Sequence, residues 1–128
     1  MKYVQTPKNK PAIVDALLVD TEVKAVVETK CRQATLETFR ESFQSEWLVT
    51  WSKIQEGIKI AEGLNVPFVG FLYLVKSKDL LIQRIFENGK MIPTVRLCTT
   101  ETQATINGGT ALRTNAYIDM SNAHHHQL

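Results

Sequence analysis

The stretch from Pro11 to Arg32 constrains the fold of this 128-residue chain more than any other. It carries two runs rich in Val, Ile, Leu and Ala, Ala12 to Val19 and Val23 to Val27, separated by the polar Asp20-Thr21-Glu22. Short β-branched and apolar runs around a polar break predict a β-hairpin. Nearly every residue in both runs is apolar, so both faces need cover and the hairpin belongs in the middle of a sheet. Asp15, Glu28 and Lys30 stand out against that background. Side chains alternate along a strand, which puts Glu28 and Lys30 on one face. A symmetric turn centred on Thr21-Glu22 pairs Asp20 with Val23, and counting back from that closing pair sets Asp15 opposite Glu28.

Directly opposed side chains in an antiparallel pair have Cβ atoms roughly 4.5–5.5 Å apart, and like charges there are destabilising. A hard divalent cation offsets that repulsion, because Mg²⁺ takes one or two carboxylates and keeps positions for water and phosphate oxygens. Spacing alone leaves two other readings open: Glu28 pairs with Lys30, or the register slips by one and Asp15 points elsewhere.

Asp15, then Glu28-Thr29-Lys30 at the end of an apolar strand, then a long amphipathic segment and another apolar strand, together resemble the PD-(D/E)XK nuclease superfamily. The match runs from about Lys2 to Val75. It departs from the family pattern at Val14, which stands where the family name has Pro. Only ten residues precede Pro11, so the N-terminal helix that often supplies a further acid is not expected. The resemblance implies a restriction-endonuclease-like α/β fold: a mixed sheet with one long crossover helix, here followed by a C-terminal β-hairpin. It also implies a Mg²⁺-dependent DNA nuclease, with Mn²⁺ as a substitute ion. Asp15, Glu28 and the main-chain carbonyl of Thr29 would hold the metal, and Asp15, Glu28 and Lys30 would be catalytic. DNA is the implied partner, cut selectively by structure or without sequence preference, with a homodimer acting on two strands as the oligomer suggested by analogy. The rival is a catalytically inactive nucleic-acid-binding or assembly domain of the same fold.

Along the rest of the chain, Lys2 to Thr6 reads as a short first strand. Pro7 to Pro11 reads as a turn whose Lys8 and Lys10 are either phosphate contacts or solvated. Thr35 is a candidate N-cap with Glu37 in the first turn. Beyond it, Leu36, Phe39, Phe43, Trp47, Trp51, Ile54, Ile58 and Ala61 recur in steps of three and four. That spacing predicts one helix, or two nearly collinear ones, ending near Gly63 and Asn65. Trp47 and Trp51 fall in the apolar stripe and read as core. Lys53 and Gln55 are candidate substrate-binding residues, Gln55 because some members of the resembled family carry a Gln on the corresponding helix.

Pro67 to Val75 is an apolar, central strand, which a right-handed crossover returns parallel to Val23–Lys30. Leu80 to Phe86 is a further strand before an Asn88-Gly89 turn. Thr99 to Ile106 and Thr110 to Tyr117 flank Asn107-Gly108-Gly109 as a hairpin. Arg96 and Arg113 there are phosphate candidates, and Arg113 is taken as substrate-binding, against a reading in which the hairpin is a solvated edge. His124-His125-His126 reads as a flexible or appended tail and not as the catalytic metal site.

The length suits one domain, with a core over about 2–90, a hairpin extension over 91–120 and a tail over 121–128. A composition of 44% hydrophobic and 22% charged residues is that of an ordinary globular protein. With no apolar run long enough to span a membrane and no leader-like start, a cytoplasmic protein with no membrane partner is expected. Cys31 and Cys98 match no metal-ligand spacing and read as free thiols. A net charge of +2 neither demands nor excludes nucleic acid, so any basic footprint must be local.

Overall fold

The computed structural model describes residues 2–5, 15–19, 22–101 and 112–128. Its elements run β1 (Lys2–Gln5), β2 (Ala16–Val19), β3 (Val23–Arg32), α1 (Leu36–Glu41), β4 (Glu46–Thr50), α2 (Trp51–Leu64), β5 (Phe68–Leu74), β6 (Asp79–Glu87), β7 (Lys90–Met91), β8 (Val95–Glu101), β9 (Leu112–Asp119) and β10 (His124–Gln127). The chain is a mixed α/β fold dominated by strands. The main sheet has the order β1-β2-β3-β5-β6-β10, with β7 on β6, and a second sheet has the order β4-β9-β8. No helix among the described residues is long and apolar enough to cross a membrane.

The hairpin forms at the centre of the main sheet. β2 and β3 pair antiparallel as Ala16↔Val27, Leu17↔Val26 and Leu18↔Ala25, the register derived from the sequence. The closing pair differs from the symmetric one: Val19 faces Val23, because β3 carries one extra residue near the turn, a bulge. Asp20 and Thr21 lie outside the described residues, as do Lys8 and Lys10. The crossover returns β5 parallel to β3, with Val26↔Phe68, Glu28↔Gly70, Lys30↔Leu72 and Arg32↔Leu74. β6 follows antiparallel to β5, and Asn88 and Gly89, both at positive φ, close the β6–β7 hairpin.

The crossover is not one long helix. α1 ends at Glu41 after six residues, Gln44 and Ser45 take positive φ, and the chain then runs as strand β4 before α2 begins. Over Glu46 to Thr50 the residues that suit a helical stripe also alternate, and Trp47 and Val49 are buried while Leu48 is exposed. Pairing with β9, from Glu46↔Asp119 to Thr50↔Asn115, decides between the two periods in favour of the strand. Phe43, expected in the stripe, is left 54% exposed. Thr35 caps α1 as expected, accepting a hydrogen bond from the Thr38 amide, and Asn65 ends α2 in the left-handed conformation.

The C-terminal hairpin consequently is no simple edge extension. Through β9 it joins β4 in a sheet that closes over the core, where Trp47, Ile54, Phe68, Leu72, Ile85 and Ile118 are fully buried. Its turn lies outside the described residues. The histidine run is not a loose tail either: β10 pairs with β6, His124 facing Ile82 and Gln127 facing Asp79. A polar edge strand of this kind is specified by its partners and not by a hydrophobic period. The ring of Phe68 lies so close to Gly57 that a Cβ there would sit 2.4 Å from it. Helix α2 thus rests directly on β5.

Candidate active site

The even-numbered residues of β3 place Val26, Glu28, Lys30 and Arg32 on the face of the main sheet that carries Phe68, Gly70, Leu72 and Leu74 of β5. This face packs against α2 and the second sheet, so a carboxylate on it is taken out of water. Glu28 is 2% exposed. Its cross-strand neighbour is Gly70, and the space that a side chain would take there is filled by the Trp47 ring, 2.4 Å from an ideal Cβ. Gln83 follows in the same row on β6.

Asp15 stands one residue before the Ala16↔Val27 pair, where the paired ladder ends, and its amide donates to the Val27 carbonyl (3.2 Å), which holds it next to Glu28. The Asp15 carboxylate accepts a hydrogen bond from the amide of Thr29 (2.8 Å). Its negative charge acts on Glu28 and raises the pKa there. The two charges are thus near enough to interact, at the point where the paired ladder ends at Ala16↔Val27. The Thr29 side chain leaves this site: its hydroxyl bonds to that of Tyr3 (2.9 Å), whose ring stacks on Phe71.

The partner of Glu28 is Lys53, whose ammonium donates to Oε1 at 2.8 Å. Lys30, the pairing candidate read from the sequence, is exposed and makes no ion pair among the described residues. The Lys53–Glu28 pair is asymmetric. Burial of Glu28 raises its pKa above the usual carboxylate range despite the opposing pull of Lys53, because desolvation disfavours the charged form. Lys53, with 45% of its side chain exposed, loses little hydration and is held above its ordinary value by the hydrogen bond to Glu28. The other carboxylate oxygen, Glu28 Oε2, is buried without a hydrogen-bond partner among the described residues.

That orphaned oxygen tests the fit of a metal. An unpaired buried acceptor is costly, and here it belongs to a carboxylate beside a second carboxylate. A cation at this point would satisfy Oε2 and relieve the Asp15–Glu28 repulsion together. Among the described residues no three His, Cys, Asp or Glu side chains cluster, but Mg²⁺ needs only one or two carboxylates. The donor set fits a hard, largely hydrated ion. The Thr29 amide is turned to Asp15 as a donor, and so is not itself a ligand for a cation.

The remaining candidates are dispersed. Gln55 is exposed, and the 100° step of a helix puts it on the flank of the buried Ile54 opposite to Lys53, the residue that reaches Glu28. Arg113 is exposed on β9 opposite Thr100, in the second sheet. A cavity of about 750 Å³ opens beyond the Arg32 end of β3, lined by Arg32, Phe43, Trp47, Lys76, Arg96 and Tyr117 among others. No periodic signal announces it, because β4, which forms one wall, reads there as helix. Comparison of the chain with protein-family models, with characterised proteins and with solved structures gives no match.

Proposed function

We propose that this chain is a Mg²⁺-dependent nuclease that hydrolyses DNA phosphodiester bonds, with a restriction-endonuclease-like core. The observation that carries the reading is the neighbouring carboxylates of Asp15 and Glu28, with an orphaned buried oxygen on Glu28 and Lys30 two residues along the same face. The antiparallel β2–β3 hairpin, the crossover and the parallel β3–β5 pair support the core.

Asp15 and Glu28 would hold the ion, with the main chain of Thr29 beside them. When bound, Mg²⁺ supplies a Lewis acid that polarises a phosphoryl oxygen and lowers the pKa of a coordinated water. Lys30 carries the remaining step: its exposed ammonium stabilises charge developing on the phosphoryl oxygens or orients the attacking water. Lys53, donating to Glu28 Oε1, opposes the rise in pKa that burial imposes on Glu28. On the other face of the sheet the Tyr3 hydroxyl bonds to that of Thr29 and the Tyr3 ring stacks on Phe71.

The Lys53–Glu28 pair favours one alternative, a catalytically inactive DNA-binding or assembly domain in which Lys53 takes the place of a cation. End-labelled single-stranded, duplex and nicked DNA, incubated with the protein and Mg²⁺ or Mn²⁺, separates the two. Metal-dependent cleavage by the wild type that is lost in Lys30→Ala, with DNA binding retained, supports the nuclease. Binding of DNA without cleavage under any metal leaves the inactive domain.

A further inference from the structure

We infer that the cavity at the Arg32 end of β3 is a subsite for a single unpaired nucleotide of the DNA strand. The inference rests on the nuclease reading for its biological substrate but not for its chemistry. Arg32 lies on the same face of β3 as Glu28 and Lys30, four residues on from Glu28, about 13 Å away at 3.3 Å per residue. That distance is no more than about four nucleotide steps of 3.4 Å. A strand whose phosphate meets Asp15, Glu28 and Lys30 can therefore reach the cavity with a neighbouring nucleotide.

The lining suits that ligand in both its parts. Of the three cations at the cavity, Arg96 is held by Glu46 through two guanidinium contacts (2.9 and 3.4 Å) and lies 4.1 Å over the Tyr117 ring, forming a fixed wall. Arg32 spends one donor on the Leu48 carbonyl (2.8 Å) and retains the rest of its five. Lys76 is exposed. Neither Arg32 nor Lys76 has a carboxylate partner among the described residues, so both are open to a phosphate. Phe43 supplies the second part: its ring lines the cavity and is 54% exposed, where the apolar spacing of the sequence would bury it. An exposed ring at the wall of a cationic cavity offers a face on which a base stacks without sequence preference. The volume, about 750 Å³, falls within the usual range for small-ligand sites. A base in a duplex is stacked and paired and cannot enter, so the subsite selects substrates with an unpaired nucleotide near the scissile bond, such as frayed ends and flaps.

The test uses the full chain with EDTA present and dTMP, thymidine and inorganic phosphate as separate probes, followed by NMR and calorimetry. Expected is dTMP binding that perturbs the amides around Arg32, Phe43 and Lys76 and is tighter than either fragment. Lys76→Ala and Phe43→Ala, both at exposed side chains, each weaken it on the order of ten-fold with unchanged melting curves. Failure of dTMP to bind, shifts that map elsewhere, or phosphate binding as tightly as dTMP each overturn the subsite. Because metal is absent, the result is independent of cleavage. Binding of dTMP by a protein that cuts no DNA removes the nuclease reading alone, and cleavage of DNA by a protein that ignores dTMP removes the subsite alone.

Discussion

Glu28 and Asp79 are equally buried, at 2% and 3% exposure, and both stand on the covered face of the main sheet, yet they hold their protons in opposite senses. Asp79 lies below the usual carboxylate range because the Ser77 hydroxyl and His125 hydrogen-bond to it. The His125 contact ties β10 to β6. Glu28 lies above that range because burial outweighs Lys53 and because the Asp15 charge acts on it. Low exposure alone therefore does not fix the direction in which a carboxylate shifts; its hydrogen-bond partners do. Asp79 has its partners within the fold, whereas Glu28 keeps an oxygen that the described residues do not satisfy.

The largest contrast between the two is expected in activity. Glu28→Gln and Lys30→Ala should each lower Mg²⁺-dependent cleavage by about 10²-fold or more, the scale of losing one group that stabilises transition-state charge. Asp79→Asn, measured below its melting temperature, should cut at the wild-type rate. A strong loss of cleavage in Asp79→Asn would erase the distinction.

Stability should separate them in the other direction. Asp79→Asn removes a charged acceptor with two partners and should cost about 1–3 kcal/mol at neutral pH, read from chemical denaturation. The depressed pKa gives the sign: the contribution of Asp79 is present above the ordinary aspartate range and is lost as pH falls through its lowered value. Variant and wild type should therefore converge in acid. For Glu28 the sign reverses. The folded state binds its proton more readily than the unfolded chain, so stability declines as pH rises from the ordinary glutamate value through the raised one. Glu28→Gln, free of that decline, should melt at or slightly above the wild type at neutral pH without metal. A clear drop in its melting temperature would mean that the Lys53 pair is a net structural prop.

Gly70 extends the comparison to the row between Glu28 and Gln83. A methyl group there would meet the Trp47 ring at 2.4 Å and Ile85 at 3.0 Å, both fully packed, so Gly70→Ala should destabilise by about 1–3 kcal/mol. The smallest effect concerns DNA affinity. With a net charge of +2 and few free cations near the site, log K against log salt should have a slope shallower than about −6, at about −0.9 per phosphate contact. A steeper slope would require a larger basic surface, such as a dimer provides.

The parts of this fold that were legible in the sequence are those whose signals admit a single period. The alternating apolar runs of β2, β3 and β5, the Asn65 exit and the Asn88-Gly89 turn each carry a local cause, and the parallel return of β5 follows from the handedness of crossovers. The register from Ala16↔Val27 to Leu18↔Ala25 was legible because pairing propagates along a ladder, even though the closing pair next to the turn is shifted by a bulge. β4 was not, since Phe43, Trp47 and Trp51 fit a helical step and Trp47 and Val49 a strand. Contact with β9, far along the chain, makes the choice. Nor was the partner of Glu28: Lys53 is twenty-five residues away, and only the packing of α2 brings it there in preference to the adjacent Lys30. The pairing of His124–Gln127 with β6 has no periodic signal at all.

The most direct test of the central claim is the melting temperature of the wild type and of Glu28→Gln across a Mg²⁺ titration. An ion that binds the folded state stabilises it by about 2.7 kcal/mol at one hundred times its dissociation constant. The wild type, at or below the variant without metal, should rise with Mg²⁺ and overtake it, while the variant stays nearly still. Two curves that remain flat at millimolar Mg²⁺, or that rise together, would contradict a metal site on Asp15 and Glu28.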